Sequence, residues 1–226
     1  MSEMQTLSEE NHLKAIYKLG GGGAAEKVSL KAIAEVLNNN PASVVDMIRK
    51  LSDKELVLYD KSKGVRLTEK GNRSALMVVR RHRLWEVFLL EKLGYRWEQI
   101  HDIAEQLEHI HDPELADRLD KFLGFPKYDP HGDPIPMANG ELPAVSDIIL
   151  DQFPDKTECQ VVGVKDTSIP FLQYLRQLSV GIGTRICIDE RIAYDGSLSI
   201  SIDGGVKTTV SKKFAENIWV KHPGKN

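Results

Sequence analysis

Apolar residues recur at helical spacing through residues 8–123 and at alternate positions beyond residue 155, which divides the chain into a helical part and a smaller β-rich part. Residues 8–20, SEENHLKAIYKLG, open with a serine and acids and then repeat apolar positions at Leu13, Ile16, Tyr17 and Leu19. That order predicts a helix with a serine N-cap and an acidic first turn, ended by the run Gly20 to Gly23. A short helix follows over Ser29–Leu37, with Ile33, Ala34 and Leu37 inward. After the turn Asn38-Asn39-Asn40, Pro41 suits the first position of a helix over Pro41–Lys54 that buries Val44, Ile48 and Leu51. Two β-rich pieces, Leu56–Tyr59 and Val65–Thr68, flank a basic connection from Asp60 to Gly64. Helix, helix, turn, helix and hairpin is the order of a winged helix-turn-helix domain.

A long helix is expected from Thr68 to Leu93, with enough apolar positions (Leu76, Val79, Leu84, Val87, Phe88, Leu90) to bury more than one face. Helices over Trp97–His111 and Pro113–Leu123 complete a helical unit, and the proline- and glycine-rich stretch 124–150 reads as loop and linker. Period-two segments then appear at Cys159–Lys165, Arg185–Asp189, Ser197–Ile202 and Lys207–Ser211, interrupted by a helix at Ile169–Leu178 and a tight turn at Asp203-Gly204-Gly205. The fold class is mainly α with a small β part. Its expected divisions are a DNA-reading domain at 1–72, a helical domain at 73–140, a linker at 141–154 and a β domain at 155–226.

The 226 residues carry 30 Lys+Arg against 33 Asp+Glu, a formal charge of −3, so whole-chain charge gives no support for nucleic-acid binding. Its distribution is uneven. Residues 1–75 hold twelve Lys/Arg against ten Asp/Glu, whereas 101–120 hold seven acids and one base, Arg118. Cys159 and Cys187 lie in strand-like stretches and suit a core better than a disulfide. No stretch approaches the roughly 20 apolar residues of a membrane span, and no signal-peptide core opens the chain, so a cytoplasmic protein is expected.

The expected recognition helix presents small and polar side chains: Asn39, Ala42, Ser43, Val45, Asp46 and Arg49 lie at its start and on its outer face. Such residues let a helix sit deep in a major groove, with Val45 able to touch a thymine methyl. Lys61, Lys63 and Arg66 on the wing, with Arg49, Lys50 and Lys54, suit phosphates. Each alone is more often plain solvated surface; the helix order, turn spacing and basic wing together favour double-stranded DNA.

Between Trp97 and Asp112 stand five carboxylates and three imidazoles, with no local lysine or arginine to neutralise them. At about 100° per residue, with His101 at zero, Glu105 falls near ~40°, Glu108 near ~−20° and His109 near ~80°. Four oxygen and nitrogen donors then share one face, while Ile103, Leu107 and Ile110 take the opposite face toward a core. Donors crowded in this way suit a divalent transition metal; the alternative is a solvated acidic face. His82 and Glu86, four apart, offer a second pair of ligands, although Glu86 could simply pair with Arg83. Asp129 and His131 sit in a proline-stiffened loop. Clustered Glu and His also build di-metal enzymes, but an enzyme would leave the winged helix unexplained.

The segments EENHLKAIYKL at 9–19, NPASVVDMIRKL at 40–51, GVRLTEKG at 64–71, RRHRLWEVFL at 80–89, HDIAEQLEHI at 101–110 and PHGDPIP at 130–136 together resemble the diphtheria toxin repressor family of metal-dependent transcription regulators, particularly its manganese-responsive members. The resemblance implies a winged helix-turn-helix domain, a helical dimerisation and metal-binding domain and an SH3-like C-terminal domain. It implies a homodimer that binds a palindromic DNA operator and represses metal-uptake genes. Glu105, Glu108 and His109 match the core of the family's regulatory metal site, and Asn11 stands where a first-helix ligand completes it, with Glu10 or a backbone carbonyl as substitutes. His82, Glu86 and His101 match an ancillary site, to which His131, Asp129 and Asp166 align. A carboxylate at 105 and no methionine at 11 move the expected ion toward Mn2+, with Fe2+ the alternative. In the implied switch, the paired acids repel without metal and leave the domains loose, and the ion joins the first helix to the helix around residue 105.

Overall fold

In a computed structural model describing residues 5–22, 26–144, 148–205 and 207–224, the first helix, α1 (Leu7–Leu19), is capped by Thr6 and not by the expected Ser8. The Glu9 amide donates to Thr6 Oγ1 at 3.3 Å and the Thr6 amide to Glu9 Oε2 at 3.0 Å, a reciprocal box that satisfies two orphan N–H groups. Ser8 is one residue inside the helix, where its carbonyl accepts from His12 Nδ1 at 2.7 Å. Helices α2 (Leu30–Val36) and α3 (Pro41–Asp53) start at Ser29 and Asn40, whose side chains accept from Ala32 N and Ala42 N. Strands β1 (Val57–Asp60) and β2 (Gly64–Leu67) pair antiparallel as the wing, and a bridge between Val28 and Val65 ties that wing to the helices. Gly64 is required there: its φ is +94°, and a Cβ would stand 2.5 Å from the Val28 carbonyl oxygen.

Leu13, Ile16, Ile33, Val44, Ile48, Leu51 and Val65 form the winged-helix core, continued by Ala75, Leu76 and Val79 of α4 (Glu69–Glu91). Beyond α4 come α5 (Trp97–Leu107) and α6 (Leu115–Phe122). The buried Arg80 of α4 donates to Asp117 at 2.8 Å and Asp120 at 2.7 Å, so two acids of α6 have a structural partner.

The chain forms two units: Met1–Trp85 with Ala104–Phe122 and Pro136–Leu142, and Glu86–Ile103 with Leu123–Ile135 and Pro143–Asn226. Residues 145–147 of the expected linker and Gly23 of the expected helix stop lie outside the described residues. The second unit carries a five-stranded antiparallel sheet in the order β6-β5-β4-β3-β7, made of β3 (Glu158–Val164), β4 (Arg185–Arg191), β5 (Leu198–Ile202), β6 (Lys207–Val210) and β7 (Ile218–Lys221). Helix α7 (Ile169–Gln177) and the short α8 (Lys212–Ala215) join its strands. The last strand, beside β3, and α8 fall where the alternation had been expected to stop. Register shifts between Val161 and Gly163 and between Ile188 and Glu190 bend the sheet in the manner of an SH3-like fold. Its core is built on Leu150, Phe153, Val161, Ile186, Ile200 and Phe214. Cys159 is buried and Cys187 half-buried; both are free thiols.

The fully buried Glu9 carboxylate also meets Lys50 and Lys54, each at 3.0 Å, joining the start of α1 to the end of α3. Burial opposes its charge, but the Thr6 amide and the two ammonium groups outweigh burial and hold its pKa below the ordinary carboxylate value. A depressed carboxylate stabilises the fold above its unfolded-state pKa, and that contribution is lost as pH falls through the folded-state value. Glu9→Ala is expected to lower unfolding stability by roughly 0.5–2 kcal/mol at neutral pH, the range of a lost N-terminal cap. In chemical denaturation, the gap from the parent should close as pH falls below 4.5, the carboxylate's ordinary value.

Candidate metal centre

Helix α5 ends at Leu107, so the single donor-rich face expected over 101–109 is not continuous. Glu108 keeps a helical bond, its N–H donating to Ala104 O at 2.9 Å, but His109 lies past the helix end. The buried face of this segment is Ile100, Ala104 and Glu108, each 0% exposed, whereas Ile110 is 41% exposed and Ile103 and Leu107 are half-buried. The expected inward stripe is therefore rotated, and a carboxylate occupies a core position. Burying an unpaired carboxylate costs several kcal/mol, so Glu108 needs cations or donors around it.

Lys14 of α1 supplies the first. Its Nζ lies 2.6 Å from Glu108 Oε1, 2.8 Å from Glu108 Oε2 and 2.6 Å from Glu105 Oε1. The Lys14 side chain is 7% exposed and that of Glu105 35%. His82 supplies a second partner, with Nδ1 at 2.6 Å from Glu108 Oε2. The Arg81 Nε donates to the Glu108 carbonyl at 2.5 Å and its Nη2 to Glu10 Oε1 at 2.6 Å. His109 Nδ1 sits 2.6 Å from Glu10 Oε2 and its Nε2 3.5 Å from Glu108 Oε1; His111 Nε2 is 3.6 Å from Glu10 Oε2. The acids gathered by α5 thus do not face each other bare: a cation more than ninety residues away in sequence neutralises them. Among the described residues, His82, Glu105 and Glu108 offer ligand atoms all within 4.8 Å of one another. Asn11, on α1 with Lys14, has its side-chain carbonyl oxygen Oδ1 buried without a hydrogen-bond partner.

A second group lies in the other unit. Glu86, Asp129 and His131 are all buried, and their ligand atoms also fall within 4.8 Å of one another. His131 Nδ1 is 3.4 Å from Glu86 Oε2 and 4.0 Å from Asp129 Oδ1, while His101 Nδ1 is 3.1 Å from Glu86 Oε1. The His131 ring stacks on Trp97 at 5.7 Å, and its Nε2 is buried without a hydrogen-bond partner. Burial draws the His131 pKa down, but Glu86, Asp129 and Asp133 outweigh it and hold the pKa above the ordinary imidazole value. The loop is rigid for local reasons. Asp129 Oδ1 accepts from the amides of His131 at 2.8 Å and Asp133 at 3.0 Å, and the His131 carbonyl accepts from Val164 N at 2.8 Å. Gly132 has a φ of +88°, and a Cβ there would stand 2.1 Å from the Val162 carbonyl oxygen. Asp166 is not in either group; its Oδ1 accepts from Ser168 N at 2.8 Å, ahead of α7.

Residues 4–65 match the iron dependent repressor N-terminal DNA binding domain, residues 68–137 the iron dependent repressor metal binding and dimerisation domain, and residues 148–222 the FeoA domain. The iron-dependent repressor IdeR of Mycobacterium leprae (strain TN) is 34% identical over 220 residues, covering 95% of this chain and 88% of its own length. The chain belongs to the diphtheria toxin repressor family of metal-dependent transcriptional repressors. The chain is also similar to manganese regulators. HTH-type transcriptional regulator MntR of Oceanobacillus iheyensis (strain DSM 14371 / CIP 107618 / JCM 11309 / KCTC 3954 / HTE831) is 36% identical over 126 residues, covering 56% of this chain and 84% of its own. A manganese-dependent transcriptional repressor in complex with manganese superposes with a TM-score of 0.81 at 36% identity, covering 94% of this chain and 98% of that one.

On the family's DNA-reading unit, Asn39, Ala42, Ser43, Arg49 and Lys50 of the α3 region and Lys61 and Lys63 of the wing are exposed, and Val45 is half-buried. Arg49 Nη1 lies 3.4 Å from Asp46, a solvent-exposed pair easily exchanged for another anion. Lys50 and Lys54, read from sequence as phosphate contacts, both reach the buried Glu9. Lys14 and Arg81 escaped the sequence-based assignment, and Glu10 entered it only as a substitute ligand for Asn11. The one local signal for Lys14 is its position between Leu13 and Ile16 on the buried face of α1.

Gly132→Ala should strain the loop that carries His131, with a cost on the order of 2 kcal/mol for a non-glycine residue forced into this conformation. Thermal denaturation should show the loss; an unchanged melting temperature would contradict the close approach to Val162.

Proposed function

We propose that this chain is a Mn2+-activated repressor that binds a palindromic operator as a homodimer and holds down genes of metal uptake. The observation that carries this reading is the buried Glu108 carboxylate, with Glu105 and His82 beside it and the unpartnered Asn11 Oδ1 on the neighbouring helix. These donors fit a divalent ion: they are oxygens and imidazole nitrogens, with no cysteine or methionine sulfur, a set that suits manganese better than softer metals. Glu105, Glu108, His109 and Asn11 would hold the regulatory ion, with Glu10 as the substitute for Asn11, although Glu10 already accepts from Arg81 and His109. His82, matched from sequence to the ancillary site with Glu86 and His101, would instead serve the regulatory site through its contact with Glu108. Glu86, Asp129 and His131, with His101, would hold an ancillary ion, in which the carboxylate of Asp129 keeps the donors hard. Asp166 would join them only if the loop before α7 released Ser168.

A bound divalent ion supplies two positive charges and a coordination shell shared between α1 and the segment around Glu108. The chain's own residues do the rest. Glu105 and Glu108 are fixed by α5 and by His82, whereas Asn11 travels with α1 and therefore with the winged-helix core it helps to build. A cross-link between these donors narrows the orientations of the recognition helices, which must lie about 34 Å apart to enter successive major grooves. Asn39, Ala42, Ser43, Val45 and Arg49 would approach base edges, and Lys61 and Lys63 the phosphates. By linkage, operator DNA tightens metal binding by the same factor that metal tightens DNA binding. The working divisions are 1–72 for DNA, 73–140 for dimerisation and metal, 141–154 as linker and 155–226 as the SH3-like domain. A repressor of promoters works in the cytoplasm, and both groups of ligands serve metal sensing and not turnover.

A regulator of the same architecture that responds to Fe2+ is the second reading, favoured by the iron-dependent relatives. Gel-shift titration with a promoter fragment against Mn2+, Fe2+, Zn2+ and Co2+ separates the two. Mn2+ should give the steepest gain in operator affinity, a chelator should reverse it, and Glu108→Ala should weaken metal-supported binding at least about tenfold, near 1.4 kcal/mol. Chelator-insensitive binding would contradict the metal switch, and a metal response intact in Glu108→Ala would contradict this site.

A further inference from the structure

We infer that Lys14 is a built-in competitor for the regulatory ion, an ammonium group that occupies the carboxylate oxygens a divalent cation must take and so sets the metal concentration at which the repressor switches. The inference rests on the assignment of Glu105 and Glu108 as regulatory ligands. Lys14 Nζ uses one oxygen of Glu105 and both of Glu108, at 2.6, 2.6 and 2.8 Å. Glu108 is fully buried and its remaining neighbours include the His82 Nδ1 at 2.6 Å, so the carboxylate has little freedom to turn a fresh oxygen toward an incoming ion. An ion coordinated by both acids needs the volume that Nζ fills. Two positive centres also repel each other on the same oxygens: an ammonium within 3 Å of them would face a divalent centre across the fully buried Glu108 carboxylate, where solvent screens little. Binding is therefore an exchange in which three charge-assisted hydrogen bonds break and Nζ leaves the carboxylates.

The flexible four-carbon stem of lysine makes this exchange feasible. Lys14 is anchored on α1 one turn beyond Asn11, whose buried Oδ1 lacks a partner, so the helix that loses an ion pair at position 14 carries a spare donor at position 11. Both forms of the site then tie α1 to Glu108, once through the lysine and once through the ion. The lysine-held form corrects the expectation of bare, mutually repelling acids. The metal threshold reflects the difference between two bound cations, not the relief of carboxylate repulsion. A monovalent, tethered competitor at fixed local concentration lowers apparent affinity for every ion, which places the switch at higher free metal than the donor set alone would give.

Lys14→Met, which keeps much of the side-chain volume and removes the charge, tests this directly. Mn2+ binding to the DNA-free protein, followed by the loss of the free-ion electron paramagnetic resonance signal, should show one class of sites tightened at least tenfold. Operator titrations should shift to lower Mn2+ by a similar factor. The parent protein offers a second measurement that needs no variant: acylation of Lys14 by a small amine-reactive reagent, read by peptide mass spectrometry, should rise at least threefold when Mn2+ is added. Equal or weaker Mn2+ binding in Lys14→Met, or Lys14 acylation unchanged or reduced by Mn2+, overturns the inference. If the parent protein itself binds no Mn2+, the assignment of the regulatory site fails first, and the two failures are distinguishable.

Discussion

A carboxylate with no exposed surface dictates the organisation of the first unit. Glu108 stands at a core position of the α5 segment, in line with Ile100 and Ala104, and its charge must be matched from within the protein. Lys14 of α1 supplies the matching charge, while His82 and Arg81 of α4 hydrogen-bond the Glu108 carboxylate and its own backbone carbonyl. Removing one member of such a buried pair typically costs about 3–5 kcal/mol, so these partners are bound to one another energetically as well as in space. The winged helix is thereby connected to the helices that follow it through ionic contacts and not only through apolar packing.

That choice has a functional logic. An apolar seam between α1 and the end of α5 would be indifferent to ions. A seam built on carboxylates has a cation-dependent free energy, and any ion that prefers one arrangement shifts the population toward it. The second group, Glu86, Asp129 and His131, is held by different means: a loop locked by Asp129 against two backbone amides, by Gly132 against Val162 and by the stacking of His131 on Trp97. Rigidity there contrasts with the exchangeable ammonium at Glu108, a division suited to one structural and one responsive site.

Local chemistry made much of the fold legible. Ser29, Asn40 and Pro41 mark helix starts, the alternation at 185–189 and 198–202 marks strands, and the pairing of Glu and His at four-residue spacing points to metal. The misreadings share a cause. Helical periodicity assigns apolar residues to the inside, so Ile103, Leu107 and Ile110 took the place that Ile100, Ala104 and Glu108 occupy; a buried acid is invisible until its cation is known. Lys14 is ninety-four residues from Glu108, and no spacing rule links them. Ser8 looked like a cap because the residue preceding a helical pattern is ambiguous by one or two positions, which the Thr6–Glu9 box resolves. Strand β7, Ile218–Lys221, was missed because it directly follows the short helix α8 and is defined by its long-range pairing with β3, which local alternation does not show.

The most direct test of a cation-governed seam is anomalous diffraction from crystals of the manganese-saturated protein. A manganese peak is expected at coordinating distance from the carboxylates of Glu105 and Glu108, with the Lys14 ammonium withdrawn from both. Manganese-saturated crystals with no peak there, and with Lys14 still seated on the two carboxylates, would contradict it.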